Sequence, residues 1–225
     1  MLLKDKKESD QLKKRWPTKN VMNQIYENSM WGGDGSDFYS GIGSHDPEMV
    51  TPYVTVIASF LKSFKEPLTV CDLGCGDFNV GFQLVDFSKL YIGVDIVEDL
   101  IIRNKARFKK NNLDFQCLNI CEDKLPSADC IILRQVMQHL SNNEIKQLTA
   151  KLKAYKYVLV TEHLPATEFI ANQEIITGQG IRLKKNSGVD LTRAPFNLKP
   201  ILENKILVVK HDHKSEICTT FYQIF

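Results

Sequence analysis

Short apolar segments alternate with helical patterns through most of this chain, and this alternation restricts its fold more than any other feature. The segments with strand character are Leu68–Asp72, Leu90–Asp95, Asp114–Leu118, Cys130–Leu133 and Tyr157–Thr161. The predicted helices are Lys19–Met30, Pro47–Phe64, Phe78–Phe87, Val97–Lys110 and Asn142–Lys153. Strands that alternate with helices form a parallel sheet with helices on both faces. The middle of the chain therefore predicts an α/β fold.

The end of the chain has a different pattern. Lys205–Lys210 and Ile217–Phe225 both have strand character, and only a polar turn at His211–Lys214 separates them. Two strands joined so closely are antiparallel, because a parallel crossover needs a dozen or more residues. We therefore predict a Rossmann-like three-layer α/β sandwich, whose seven-stranded, mostly parallel sheet ends in an antiparallel hairpin.

The length of 225 residues suits one domain with short additions. Residues 1–20 are rich in lysine and predict a flexible extension. Residues 21–225 predict a single domain, with a helical cap at 21–66 and an insertion at 164–200. The charged first residues do not resemble a secretory signal, and no apolar run approaches the ~20 residues that span a bilayer. A cytoplasmic location without membrane contact is therefore expected.

The formal net charge is only +2. Domains that bind nucleic acid usually carry a strongly basic face, so this balance makes a nucleic-acid partner unexpected. Cysteines recur as Cys71–Cys75 and Cys117–Cys121, a spacing wider than that of common zinc sites. Thiols beside apolar strands, such as Cys71, Cys117 and Cys130, are instead expected to pack in the core.

A glycine-rich loop joins the first predicted strand to the following helix. Gly74 and Gly76 allow a tight turn and a close approach of the backbone to a ligand. Asp72 lies at the carboxyl end of the first strand, where open α/β sheets bind ligands. Asp95 ends the second strand, and a carboxylate at that place accepts hydrogen bonds from ribose hydroxyls. The two strand ends therefore predict a nucleoside site.

Two features of the loop argue against a nicotinamide or flavin dinucleotide. The dinucleotide fingerprint has a third glycine, so that a pyrophosphate can lie on the helix N-terminus. Here Asp77 and Phe78 follow Gly76, and the acid would repel a pyrophosphate. S-adenosylmethionine has no phosphate, and its cationic ammonium group suits Asp72. We therefore predict S-adenosylmethionine as the cofactor.

The order of several segments resembles the class I S-adenosylmethionine-dependent methyltransferases. These segments are Val-Cys-Asp-Leu-Gly-Cys-Gly-Asp-Phe at 70–78, Tyr-Ile-Gly-Val-Asp-Ile at 91–96, Cys-Leu-Asn-Ile-Cys at 117–121 and Ile-Leu-Arg-Gln-Val-Met-Gln-His-Leu-Ser at 132–141. The chain is most similar to a bacterial subgroup with Trp-Gly and Ser-Gly-x-Gly-Ser segments before the first strand, here Trp31-Gly32 and Ser40–Ser44. Members of that subgroup are often associated with glycan assembly.

The resemblance implies a set of cofactor contacts. Asp72, Gly74, Cys75 and Gly76 would cradle the methionine half, and Arg134 would lie where cofactor and substrate meet. The remaining implied contacts are Asp95 for the ribose, Ile96 and Ile120 beside the adenine, Asn119 where the family often has an aspartate, and Trp31 and Ser44 over the methionine end.

The acceptor is predicted largely by what the chain lacks. Arg134 and Gln135 follow the fourth strand, where adenine N-methyltransferases carry an Asp/Asn-Pro-Pro-Tyr/Phe motif and cytosine C5 enzymes a cysteine. The acidic hairpin loop of arginine methyltransferases is also missing. O-methylation of a sugar or another small hydroxylated acceptor fits best. The alternatives are an RNA or protein methyltransferase, or a non-catalytic module that binds the cofactor.

Candidate catalytic bases follow the fourth and fifth strands. His139 precedes the Ser141 helix cap and is the leading candidate, because the ordinary pKa of histidine suits a base near neutrality. The alternative is that His139 packs or caps the helix start. His163 is a second candidate, together with Glu162. Proximity alone drives many such reactions, so a base is not required.

The insertion at 164–200 is long for a compact domain, and such loops are usually functional. We predict a substrate lid whose basic residues, Arg182 and Arg193 above all, contact an anionic acceptor. The alternative is an ordinary solvated charge cluster.

Overall fold

The computed structural model describes residues 16–225, so most of the predicted extension at 1–20 lies outside the described residues. The strands, numbered β1 to β7, are Thr69–Leu73, Leu90–Asp95, Leu113–Cys117, Cys130–Arg134, Tyr157–Pro165, Leu202–Lys210 and Ser215–Gln223. The helices, numbered α1 to α4, are Thr18–Glu27, Pro47–Lys62, Glu98–Arg107 and Asn142–Leu152. Short 3₁₀ segments cover Ile42–Ser44, Gly81–Phe87, Met137–His139 and Arg182–Lys185.

All seven strands form one sheet in the order β3-β2-β1-β4-β5-β7-β6. The first five strands are parallel, and β7 runs antiparallel between β5 and β6. The predicted fold class is therefore confirmed. The direction in which the chain builds the sheet reverses between β1 and β4, and such a switch point opens a crevice at the carboxyl ends of the strands.

Two apolar layers cover the sheet, because neighbouring side chains on a strand point to opposite faces. Val70 and Ile132 pack on one face with α2, whereas Cys71 and Leu133 pack on the other with α4. Among residues 16–225, no helix has both the length and the apolar character that a bilayer crossing would demand.

The structure corrects two local predictions. The predicted helix Phe78–Phe87 is a 3₁₀ segment that begins only at Gly81. Phe78 has a positive φ of 64°, and a Cβ on Gly81 would lie 2.5 Å from the Phe78 ring, so the tight packing here prevents a regular α-helix from starting at Phe78. Cys117 is exposed because β3 is the edge strand of the sheet, whereas Cys71 and Cys130 are buried as predicted.

The carboxylate of Glu144 joins three segments at the start of α4. It accepts hydrogen bonds from the backbone N–H and hydroxyl of Ser141, which caps the helix, and from the hydroxyls of Thr177 and Thr18. Burial raises the pKa of Glu144, but the hydrogen bonds outweigh it and hold that pKa below its usual value. One side chain thus fixes α1 and the insertion to α4.

We expect Glu144→Ala to lower the free energy of unfolding by about 1–2 kcal/mol at neutral pH, because the helix cap and two tertiary hydrogen bonds are lost. Lys146→Ala is the control, since Lys146 is exposed on the same helix. Because the folded pKa of Glu144 is depressed, its contribution is present above the unfolded pKa and declines as the pH falls through the folded value. Urea unfolding of both variants should therefore show a Glu144 deficit that shrinks in acid; a deficit independent of pH would contradict the assignment.

Candidate active site

A cavity of about 460 Å³ lies at the carboxyl edge of the sheet, over the switch point between β1 and β4. The strand ends supply its floor, and α1 with residues 30–44 supplies its cover. Gln179 and Ile181 of the insertion complete the wall. Clefts of this volume are typical of sites for small molecules and cofactors.

The glycine-rich loop forms the cavity floor after β1. Gly74 has a φ of +80°, and a Cβ on it would lie 2.5 Å from Val136 Cγ2. Gly76 has a φ of +56°, and a Cβ there would lie 2.4 Å from Ser40 Oγ. Only glycine adopts such a backbone without strain and leaves this space open. Cys75, between them, also lines the cavity.

Two buried carboxylates lie at the ends of β1 and β2. Asp72 accepts a hydrogen bond from Tyr91 Oη at 2.9 Å, and burial raises the pKa of Asp72 to about 7. Asp95 accepts from the backbone N–H groups of Gly76 and Val97, each at 3.1 Å. These two hydrogen bonds lower the pKa of Asp95, but burial outweighs them, so its pKa is raised above the usual value. The floor therefore holds acidic groups that a cationic or hydroxylated ligand would stabilise.

Asp77 ties the cover to the floor. Its carboxylate accepts from Ser40 N–H and His45 Nε2, each at 2.7 Å, and its own N–H donates to Ser40 Oγ at 2.8 Å. Tyr26 of α1 reaches the same Ser40 hydroxyl at 2.9 Å. Asp77, which directly follows Gly76, thus anchors residues 40–45 over the cavity.

Arg134 lies at the end of β4, with its guanidinium 4.9 Å from the centre of the Tyr53 ring. It donates to Gly43 O and to Ser44 Oγ, the latter at 3.3 Å, so Ser44 borders the cavity through this contact. Arg134 Nε and Trp31 Nε1 are buried and have no hydrogen-bond partner among the described residues. Buried donors usually have a partner, so both atoms indicate that a ligand completes the site.

The segment after β3 lines the opposite end of the cavity with Ile120 and Asn119, and Ile96 lies beside them. Asn119 Oδ1 accepts from the backbone N–H of Cys121 at 3.0 Å, which fixes the amide. The end of the cavity near Asn119 is therefore apolar and carries one fixed amide, an arrangement that suits a flat heterocycle.

The three predicted catalytic residues lie in different surroundings. His139 and His163 line the cavity, and burial lowers the pKa of each imidazole to about 4. Glu162 is not part of the cavity wall: it is buried beneath the 3₁₀ segment and accepts from Met137 N–H at 3.1 Å. Burial raises the pKa of Glu162 to about 8. Its position does not support a direct role in catalysis.

The structure contradicts the predicted contact of Arg182 with the substrate. Only 1% of its surface is exposed, and its guanidinium donates to the carbonyl oxygens of Gln173, Met137 and Leu140 at 3.0, 3.1 and 2.8 Å. The side chain holds the insertion against the turn after β4. Arg193 pairs with Asp190 on the surface and lies outside the cavity wall.

Sequence reasoning missed several cavity residues. Tyr26, Gln138 and Gln179 line it, and no local motif marks any of them. His211 lies in the predicted polar turn and is exposed, yet it also contributes to the cavity wall. Ser215 escaped notice because only the strand pairing of β5 with β7 brings it to His163.

We expect Arg182→Met to lower the free energy of unfolding by about 3 kcal/mol or more, because it strands several buried carbonyl groups. Arg193→Met is the matched control, and its effect should stay within about 0.5 kcal/mol, since Arg193 is exposed. Urea denaturation checks both values. An equally small loss in both variants would contradict the structural role of Arg182.

Two relatives share sequence with this chain. An uncharacterized RNA methyltransferase of Chlamydia trachomatis is 25% identical over 144 residues, which are 60% of this chain and 36% of the relative. An uncharacterized RNA methyltransferase of Chlamydia pneumoniae is 26% identical over 173 residues, 70% of this chain and 41% of the relative. The chain thus spans less than half the length of either relative.

Solved structures of methyltransferases share the fold. The N-methyltransferase NodS of Bradyrhizobium japonicum, in complex with S-adenosylhomocysteine, superposes with a TM-score of 0.61 at 10% identity, covering 90% of this chain and 98% of NodS. The magnesium protoporphyrin IX methyltransferase of Synechocystis, with bound S-adenosylmethionine, gives a TM-score of 0.56 at 14% identity, covering 93% and 99% of the two chains.

The family model described as a methyltransferase domain matches residues 64–194, which include the glycine-rich loop, both acidic strand ends and most of the insertion. The match covers more than half of the chain. The chain therefore belongs to the methyltransferase domain family and has the fold of class I S-adenosylmethionine-dependent methyltransferases.

Proposed function

We propose that this protein transfers the methyl group of S-adenosylmethionine to a hydroxyl of a sugar or another small acceptor held inside the cavity. The observation that carries the proposal is the cover, which lies over part of the cavity. Trp31 and Gln179 line the cavity, and Gln179 Nε2 donates to Met30 O, which joins the insertion to the cover. The cover lies over part of a cavity of about 460 Å³, and a cavity of that size suits a small acceptor, whereas a polymer would need a longer groove.

The residues present fit the methionine half of the cofactor. The glycines at 74 and 76 leave space that any Cβ would fill. The Asp72 carboxylate suits the ammonium group, and its raised pKa would fall when that cation binds. Arg134 Nε, buried without a partner among residues 16–225, suits the carboxylate.

The opposite end fits the adenosine half. Asp95 retains lone pairs for ribose hydroxyls beyond its two backbone contacts. Ile96 and Ile120 would flank the adenine ring, and the Asn119 amide would bond to its edge. The cofactor, when bound, supplies an electrophilic methyl group on its sulfonium. The protein orients the acceptor hydroxyl in line with that group and excludes water.

The charges around the acceptor end favour an uncharged acceptor. Among residues 16–225, Arg134 is the one Lys or Arg side chain in the cavity wall, and it is assigned to the cofactor. The imidazoles of His139 and His163 are neutral at pH 7, because burial lowers the pKa of each to about 4. We therefore replace the expected anionic acceptor with a neutral hydroxylated one.

RNA methylation is the second candidate, because both chlamydial relatives are named as RNA methyltransferases. The matched part is less than half of each relative, so any RNA-binding part of those proteins need not have a counterpart here. The net charge of +2 supplies little attraction for phosphates.

The two candidates differ in an assay with methyl-labelled cofactor. We expect label to enter neutral sugars or phenols from a panel of small molecules and not to enter RNA. Asp95→Ala is the control and should lower labelling about 5- to 150-fold at limiting cofactor, because its loss weakens cofactor binding by about 1–3 kcal/mol. Labelled RNA, with filter binding that weakens steeply in salt, would favour the second candidate. Cofactor binding without labelling of any acceptor would indicate a non-catalytic module.

We expect Gly74→Ala to weaken S-adenosylmethionine binding at least tenfold in calorimetry, because alanine at a φ of +80° is strained by about 1–2 kcal/mol and its Cβ meets Val136. Gly180→Ala is the matched control, since no atom lies within 4 Å of its added Cβ. Thermal unfolding of both variants separates lost binding from lost folding. Unchanged affinity in a folded Gly74→Ala protein would place the cofactor elsewhere.

A further inference from the structure

A chain of three side chains leads from the cavity wall to the surface. Arg134, the last residue of β4, pairs with Thr161 on the neighbouring strand β5, and His163 lies two residues beyond Thr161 on β5. Its Nε2 lies 2.9 Å from Ser215 Oγ, on β7. The Ser215 hydroxyl lies 2.9 Å from Asp212 Oδ1, in the exposed turn between β6 and β7. Ser215 itself is 4% exposed, so water does not compete for its contacts.

The directions of these hydrogen bonds follow from donor and acceptor chemistry. Hydrogen bonds from Lys214 N–H and then from Ser215 hold the pKa of Asp212 below its usual value, so its carboxylate is ionised and only accepts. The single hydroxyl proton of Ser215 therefore points to Asp212. Ser215 Oγ must then accept from His163, which places the ring proton on Nε2. Nδ1 of His163 carries the lone pair.

His139 has no such free lone pair. The backbone N–H of His163 donates to Gln138 Oε1 at 3.1 Å, and this fixes the Gln138 amide with its NH₂ group toward His139. That group lies 3.2 Å from His139 Nε2 and donates to it. The other ring nitrogen, Nδ1, donates to Gly178 O at 3.2 Å. Both nitrogens of His139 are thus occupied by protein groups, and the ring ties Gly178 of the insertion to the turn after β4.

We propose that His163 is the general base for the acceptor hydroxyl, and that Ser215 and Asp212 are the residues that position it and set its tautomer. This inference rests on the proposed function and deepens it. Glu162 precedes His163 on β5 but is bonded beneath the turn after β4, so it does not share this role.

The step balances within the groups named. The acceptor oxygen forms a bond to the methyl carbon as the carbon–sulfur bond of the sulfonium breaks, and the sulfur keeps the electron pair. The hydroxyl proton passes to His163 Nδ1. The Nε2–H group of the imidazolium still donates to Ser215 Oγ. The negative charge of Asp212, which accepts from that hydroxyl, offsets the new positive charge. The imidazolium later releases its proton to solvent.

Charged and titratable neighbours surround His163 on each side. The His211 ring meets it edge-on at 4.6 Å, Asp212 lies beyond Ser215, and His139 lies beyond Gln138. Burial and then His211 lower the pKa of His163 to about 4, whereas Asp212 raises it. The ring is therefore neutral at pH 7 and its lone pair is available.

The first test needs no acceptor. Long-range ¹H–¹⁵N spectra of the whole chain should show His163 protonated at Nε2. Asp212→Asn should invert this tautomer, because an asparagine amide can donate to Ser215 and turn its hydroxyl proton toward His163. His213→Asn, in the same exposed turn, should change nothing. His163 protonated at Nδ1 in the wild type would overturn the proposal, whatever the acceptor.

The second test uses whichever acceptor the wild type methylates, small molecule or RNA, so it remains decisive if the proposed acceptor class is wrong. We expect His163→Asn to lower kcat about 100-fold or more and Ser215→Ala about tenfold, with cofactor affinity unchanged in calorimetry. The ratio of wild-type to Ser215→Ala kcat should vary with pH as His163 titrates. Unchanged kcat in a folded His163→Asn protein would overturn the assignment, as would equal losses of kcat and cofactor affinity.

Discussion

The carboxylate of Asp77 holds the cover of the site to its floor, and the shape of the cavity depends on that contact. Ser40 N–H and His45 Nε2 both donate to it at 2.7 Å, directly after the glycines that shape the floor. Arg103 and Arg107 pair with Asp37 to fasten the same cover to α3, and Glu144 fastens α1 to α4. These contacts hold the cover over the strand ends, and the partly covered cavity supports the proposed small acceptor.

The cavity separates its charges along its length. Asp72, Asp95 and Arg134 lie at the end assigned to the cofactor, where a zwitterionic methionine group and ribose hydroxyls would satisfy them. The other end carries neutral imidazoles, because burial lowers the pKa of His139 and His163. Buried charges are costly without partners. This division of charges supports the proposed function, in which the ionic groups bind the cofactor and neutral hydrogen-bonding groups bind the acceptor.

The sheet could be predicted because apolar periodicity and short connections are local signals. Asp72 and Asp95 could be placed at the carboxyl ends of strands because the two strands that precede the glycine-rich loop and α3 could themselves be predicted. The environments of Arg182 and Ser215 could not be predicted, because each depends on segments far apart in the chain: Arg182 reaches Met137 and Leu140, and Ser215 meets His163 across β5 and β7. A basic residue in a polar loop gives the same sequence pattern whether it is solvated or buried.

A crystal structure with bound S-adenosylhomocysteine tests the central claim most directly. We expect the ribose on Asp95, the amino-acid carboxylate on Arg134, and the sulfur facing the part of the cavity that His163 and Trp31 border. The cover should remain bonded to Asp77. A ligand bound outside this cavity, or a sulfur turned away from His163 toward open solvent, would contradict the account.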